Sequence, residues 1–102
     1  MLTTDTLMPM HSPAHPGAII EEYLGDVAVG DAAKKLDMTR ANLSRVINGH
    51  QRVTADMARK LGIAFPFTDD EFWMRLQMNY DLAEERKKPK PKVKVIARKG
   101  DA

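Results

Sequence analysis

Two short amphipathic segments, joined by only about three residues, constrain the fold of this chain more than any other feature. The first, residues 28–36, repeats apolar residues at helical spacing and places Ala32 and Ala33 on its inner side. The second, residues 39–48, stops at Gly49, a residue suited to ending a helix with a positive φ. Small residues on the inner side of the first helix allow the second helix to cross it closely. This arrangement predicts a helix-turn-helix.

Three further helices are predicted around this pair. One starts at Pro16 and ends at Gly25, and Thr54 caps another. Thr68 and Glu71, three residues apart, form a capping box for the last helix. The chain is therefore predicted to be all-α, with five helices. The predicted organisation is an N-terminal arm at 1–14, a helical domain at 15–85 and a basic tail at 86–102.

Charge is distributed unevenly along the chain. Residues 1–85 hold eight Lys and Arg residues against 13 Asp and Glu residues, a formal charge of −5, whereas residues 86–102 hold eight basic residues and one acid, a charge of +7. The tail is interrupted by Pro89 and Pro91 and has few apolar groups. It is predicted to be disordered in the free protein, although residues 93–97 could form a strand against a partner.

Several functional classes are excluded or disfavoured by residues that the sequence lacks. Without cysteine there is no disulfide scaffold, thiolate zinc site or cysteine nucleophile. No apolar run approaches the ~20 residues of a membrane span, and no signal peptide is recognisable, so a cytoplasmic location is expected. No phosphate-binding loop or nucleophile elbow is present, so neither an enzyme nor a cofactor or metal is expected. His15 and the acids at 69–71 are interpreted as structural, at helix starts.

The outward face of the second segment carries no acid. All charged residues between Asp37 and Asp56 are basic. The outward positions of the second segment include Ala41, Asn42 and Arg45. Arginine can bond guanine through two hydrogen bonds, asparagine can do the same with adenine, and alanine can contact a thymine methyl group. The pattern therefore suits a DNA major groove. A solvated face of an ordinary helix bundle is the alternative.

The candidate functional residues form three sets. The predicted base-reading residues are Thr39, Arg40, Ala41, Asn42 and Arg45. The predicted phosphate-contacting residues are Ser44, Asn48, His50, Gln51 and Arg52. Four large apolar side chains on the last helix exceed what one face of so small a monomer usually covers, and they predict a homodimer interface made of Phe72, Trp73, Leu76 and Tyr80.

Three segments within residues 11–83 together carry a family resemblance: HPG at 15–17, RANLSRVING at 40–49 and EFWMRLQMNYDL at 71–82. With them the chain resembles the HigA-type (VapI-like) antitoxins of the Cro/cI (XRE) helix-turn-helix superfamily. One departure is that the first helix of the motif lacks the usual serine or asparagine cap, and Asp26 is expected to replace it.

The resemblance implies a lambda-repressor-like DNA-binding domain that dimerises. It also implies nucleoid association, repression at operator DNA in the chain's own promoter, and neutralisation of a RelE-like mRNA-interferase toxin of the HigB type. Two alternatives stay open. One is a stand-alone XRE-family transcriptional regulator without a toxin partner, and the other is a module that sequesters a protein through its tail and does not bind DNA.

Overall fold

The computed structural model describes residues 13–100, so most of the predicted N-terminal arm and the last two residues of the tail lie outside it. Within those residues there are five helices and no strands, as the sequence predicts. The helices are α1 (Pro16–Leu24), α2 (Val29–Lys35), α3 (Arg40–Ile47), α4 (Ala55–Ala64) and α5 (Asp70–Arg86). None of these helices is long and apolar enough to cross a membrane.

The start of α1 is built against the end of α3. His15 caps α1, because its Nδ1 accepts a hydrogen bond from the Gly17 amide at 2.9 Å. A Cβ atom at Gly17 would lie 1.9 Å from the carbonyl oxygen of Val46, so only glycine allows the two helices to approach this closely. The positive end of one helix dipole thus meets the negative end of another. The predicted structural role of His15 is confirmed.

The α2–α3 pair has a tightly closed turn. The amides of Asp37 and Met38 bond back to the carbonyls of Lys34 and Ala33, at 3.1 and 3.0 Å, while Asp37 takes a positive φ of 53°. This is the pattern of a Schellman ending, with aspartate where glycine is commonest. The expectation that Asp26 caps α2 is wrong, since the residue before the helix is Ala28 and no side chain caps it.

Both ends of α3 are closed by the residues that the sequence indicated. Thr39 Oγ1 accepts a hydrogen bond from the Asn42 amide at 3.1 Å. At the other end Gly49 has a φ of 79°, and its amide and that of His50 bond to carbonyls of the last turn. Ala32 and Ala33 of α2 are buried, as expected for a helix that packs closely on α3.

The predicted capping box at α5 is wrong. Asp69 is the cap, and its carboxylate accepts a hydrogen bond from the Phe72 amide at 2.7 Å. The Thr68 hydroxyl is used elsewhere, because it donates to the Phe65 carbonyl at 2.7 Å and accepts from Trp73 Nε1 at 2.9 Å. The buried indole needs an acceptor, so it takes the hydroxyl that would otherwise cap the helix.

One residue of the predicted dimer stripe belongs to the core. Trp73 has no exposed surface, while Phe72, Leu76 and Tyr80 are half-buried. Trp73 therefore cannot contribute surface to an interface, because its side chain fills the space between α1, α4 and α5. The largest fully buried apolar side chains are Trp73, Ile20, Leu43, Leu61, Val46 and Val53.

Beyond α5 the chain leaves the helical domain. Residues 87–100 form neither helix nor strand, and their side chains are exposed. Lys87 and Lys88 pair with Glu84 and Glu85 at the end of α5, at 2.8 and 3.1 Å. The disorder of the tail and a strand formed against a partner stay predictions.

Candidate nucleic-acid interface

The outward face of α3 is a continuous exposed surface. Its opposite side is anchored by Leu43 and Val46, which are completely buried. Thr39 uses its hydroxyl oxygen as the helix cap but keeps its O–H free to donate. The structure exposes all five predicted base-reading residues: Thr39, Arg40, Ala41, Asn42 and Arg45.

Arg45 is held by a residue from the segment that follows the helix. Its Nε donates to Gln51 Oε1 at 3.3 Å. A guanidinium has five N–H donors, so this bond leaves the two terminal nitrogens available for a bidentate contact. A predicted base-reading residue and a predicted phosphate-contacting residue are thus joined in one unit.

Two clefts flank α3. One, of about 310 Å³, is lined by Val29, Arg40, Ala41 and Ser44. Ser44 is half-buried there and accepts a hydrogen bond from Asn48 Nδ2 at 3.4 Å. Among the predicted phosphate contacts Gln51 is also half-buried, whereas Asn48, His50 and Arg52 are exposed. Sequence reasoning missed Val29 as a neighbour of the reading face, because only the packing of α2 on α3 brings it there.

The second cleft, of about 370 Å³, lies between α3, the segment after it and the start of α4. Asn42 and Gln51 line it together with Lys60, a residue that sequence reasoning missed. Lys60 Nζ donates to the Asp37 carbonyl at 3.2 Å and pairs with Asp56 at 3.3 Å. The i, i+4 spacing of Asp56 and Lys60 indicates the ion pair in the sequence. No sequence pattern indicates the contact of Lys60 with the turn before α3.

A polar network ties the segment after α3 to α5. Gln77 is only 1% exposed, and its Oε1 accepts from the Val53 amide at 2.6 Å while its Nε2 donates to Asp81 Oδ1 at 2.9 Å. The other oxygen of Asp81 accepts from the Arg52 guanidinium, in an ion pair. Arg52, predicted to contact phosphate, therefore has a carboxylate partner within its own chain.

The electrostatics of Asp81 follow from these bonds. Burial would raise the pKa of Asp81, but the hydrogen bonds from Arg52 and Gln77 and the Arg52 charge outweigh it and hold this pKa below its usual value. Sequence reasoning missed both Gln77 and Asp81. The available signal was that Gln77 lies four residues after Trp73, on the buried side of α5, where a polar side chain must find a partner.

Within residues 13–100, no group of three His, Cys, Asp or Glu side chains is placed to hold a metal ion. The acids at 69–71 lie at the start of α5, where Asp69 serves as the helix cap.

Known proteins resemble this chain in both sequence and fold. No protein-family model matches the chain. It is 44% identical over 89 residues to virulence-associated protein A′ of Dichelobacter nodosus, a match that covers 85% of this chain and 77% of that protein. Its fold is similar to that of an addiction-module antidote protein of the HigA family from Coxiella burnetii, with a TM-score of 0.72 and 35% identity, covering 74% of this chain and 85% of that one. This chain belongs to the HigA-type, VapI-like family of helix-turn-helix proteins.

A further structure links this HigA-type fold to nucleic acid. The Pseudomonas aeruginosa antitoxin HigA, solved with the higBA promoter, is similar to this chain with a TM-score of 0.70 and 33% identity over 74% of this chain and 84% of that one. The resemblance inferred from the three sequence segments is therefore confirmed. The relatives of this HigA-type chain include proteins named as antitoxins and an uncharacterized HTH-type transcriptional regulator of Haemophilus influenzae, which points to a non-enzyme.

Proposed function

We propose that this HigA-type chain is a sequence-specific transcriptional repressor that binds operator DNA with α3 in the major groove. The observation that carries the proposal is the exposed, acid-free face of α3 on a helix closed at both ends. Such a face meets the negative potential of DNA without repulsion and presents groups that match base edges. The promoter complex of the related Pseudomonas aeruginosa antitoxin supports the same function.

The roles of individual residues follow from their positions. Arg40, Ala41 and Asn42 lie in the first turn of α3 and Arg45 lies one turn later, where a recognition helix contacts bases. The segment after α3 would lie along the DNA backbone and position the helix. The proposed phosphate contacts are Ser44, Asn48, His50, Gln51 and Arg52.

The first test is binding to a fragment of the chain's own promoter, measured by fluorescence anisotropy beside a scrambled fragment. Ala41→Glu places an acid on the reading face and should weaken promoter binding by at least about a hundredfold, since it adds both repulsion and a clash. Ala64→Glu makes the same change at the exposed end of α4 and should leave binding nearly intact. Equal losses in the two variants would contradict the proposed face.

We further infer that the repressor is the antitoxin of a HigB-type, RelE-like mRNA interferase and regulates its own operon. The antidote name of the Coxiella burnetii protein and the higBA promoter bound by the Pseudomonas aeruginosa antitoxin support this assignment. The test is co-expression with the product of the neighbouring gene. Recovery of a stable complex and relief of mRNA cleavage are expected. Promoter binding without either result would instead identify a stand-alone regulator.

A further inference from the structure

The segment that follows α3, residues 48–53, has little regular structure of its own. It connects α3 to the start of α4, and hydrogen bonds tie it to both α3 and α5. On one side, a Cβ added at Gly49 would lie 3.9 Å from the ring of His15. On the other side, Gln77 binds the Val53 amide and Asp81 binds the side chain of Arg52.

These contacts unite sequence motifs that lie far apart in the chain. Gln77 and Asp81, which bond to the segment, come from LQMNYDL at 76–82, and His15 of HPG at 15–17 lies beside Gly49. Within this group the rings of His15 and Tyr80 meet edge to face, with centroids 4.9 Å apart. Gln77 and Asp81 have no place in the base-reading or phosphate-contacting sets, so their polar groups need a separate explanation.

We propose that Gln77 and Asp81 are positioning residues for DNA binding, which hold segment 48–53 in the geometry that meets the DNA backbone. This inference rests on the proposed function. Gln77 fixes the main chain at Val53, and Asp81 fixes the direction of the Arg52 side chain. A segment ordered before binding loses less conformational freedom when the complex forms, so affinity rises without any new contact to DNA.

The charge of Asp81 makes this inference sharply testable. If only long-range electrostatics mattered, removing an acid from the protein would strengthen its attraction to DNA. Neutralising Asp81 would also release Arg52 to reach a phosphate. Positioning requires the opposite result, because the freed segment must be ordered again on binding. Long-range electrostatics therefore predicts that neutralising Asp81 raises the affinity for DNA, whereas positioning predicts that it lowers this affinity.

The test compares Asp81→Asn with Glu85→Gln in the full chain, on the same promoter fragment. Both variants remove one negative charge from α5, and each breaks an ion pair. The pair of Glu85 is with Lys88 at the end of α5, whereas the pair of Asp81 is with Arg52 in segment 48–53. Asp81→Asn should weaken binding about fivefold. Glu85→Gln should not weaken it. Stronger binding by Asp81→Asn, with a salt dependence steeper by about one phosphate contact, would overturn the inference.

A double-mutant cycle and an amide probe separate positioning from a loss of fold. The double variant Arg52→Ala, Asp81→Asn should bind DNA no more weakly than the weaker of the two single variants, since Asp81 acts on DNA binding through Arg52. Gln77→Met should speed hydrogen exchange of the Val53 amide and weaken binding at temperatures where circular dichroism shows a folded chain. Fully additive losses, or fast exchange at Val53 with wild-type affinity, would overturn the inference. If the wild-type protein does not bind the promoter fragment, the proposed function is overturned as well.

Discussion

Arg45 lies on α3 opposite the buried Leu43 and Val46, with its Nε bonded to Gln51 and its terminal nitrogens free of that bond. A bidentate arginine–guanine pair contributes about 1–3 kcal/mol of discrimination. We therefore expect Arg45→Ala to weaken operator binding by roughly one to two powers of ten and to relax the preference at one base pair per half-site. Binding-site selection with wild type and variant checks this.

Arg52→Ala serves as the comparison for Arg45. Its loss should weaken all DNA sequences about equally, whether Arg52 contacts a phosphate or orders its segment. If Arg45→Ala lowers operator and random-DNA affinity by the same factor, Arg45 contacts the backbone, and the assignment of the reading face is wrong.

At Gly17, the cost of a single methyl group can be predicted from the geometry. Gly17→Ala would place Cβ 1.9 Å from the Val46 carbonyl oxygen, so α1 must move away from α3, at a cost of about 3 kcal/mol. Gly30→Ala is the control, because its nearest new contact is the Arg40 side chain at 3.8 Å. That variant should be neutral or more stable by about 0.5 kcal/mol. Urea unfolding of both variants measures the difference, and equal stabilities would refute the close approach.

At the scale of elements, the cap of α1 should respond to pH. Burial lowers the pKa of His15, and the charge of Asp81 only partly opposes this. A folded-state pKa below the unfolded value of about 6.5 means that the neutral ring is favoured by folding. The contribution is therefore complete above that pH and is lost as the pH falls from there through the folded-state pKa.

The measurement is the thermal unfolding midpoint between about pH 8 and about pH 5, an interval that contains the ordinary histidine pKa. His15→Asn keeps a cap acceptor but does not titrate, so its stability should vary less over this interval than that of wild type. Asp81 titrates in a more acidic range, because its pKa is lowered from that of an ordinary aspartate. A wild-type curve parallel to that of His15→Asn would show that the cap does not sense pH.

The tail is the second element with a measurable role. Residues 87–100 are exposed and without helix or strand, and seven of the eight basic residues at 86–102 lie among them. We expect truncation after Glu85 to flatten the salt dependence of DNA binding and to keep the preferred sequence. Lysines that bind phosphates displace counterions from the DNA but do not read bases. Replacing Lys90, Lys92 and Lys94 with glutamine provides a control of unchanged length. An unchanged salt slope after truncation would instead indicate a toxin-binding segment.

At the scale of the whole molecule, we expect a homodimer that binds two half-sites about one helical turn apart. With Trp73 in the core, the interface would use the half-buried Phe72, Leu76 and Tyr80. Sedimentation at micromolar concentration without DNA should give a dimer mass, and Leu76→Glu should give a folded monomer. Met78→Glu, on the opposite side of α5, should stay dimeric. A monomeric wild type would refute the interface. If Met78→Glu were monomeric and Leu76→Glu dimeric, the interface would lie on the opposite face of α5.

Local chemistry made much of this protein predictable from sequence. The five helices follow from apolar spacing, and Thr39, Thr54 and Gly49 act at helix ends as expected because caps and left-handed glycines depend on only a few neighbouring residues. The exposed face of α3 follows in the same way, since Leu43 and Val46 determine which side is buried.

Long-range packing decided the rest. Thr68 lost its predicted cap role to the indole of Trp73, and Trp73 itself proved to be core rather than interface. The bonds from Gln77 to Val53 and from Asp81 to Arg52 join residues 24 and 29 positions apart, a pairing that no local pattern encodes. Apolar spacing and caps in the sequence are enough to define which helices form and which face of α3 is free, because both depend on near neighbours. The pairing of distant polar groups became visible only in the folded structure, because burial creates the need for partners after the helices have packed.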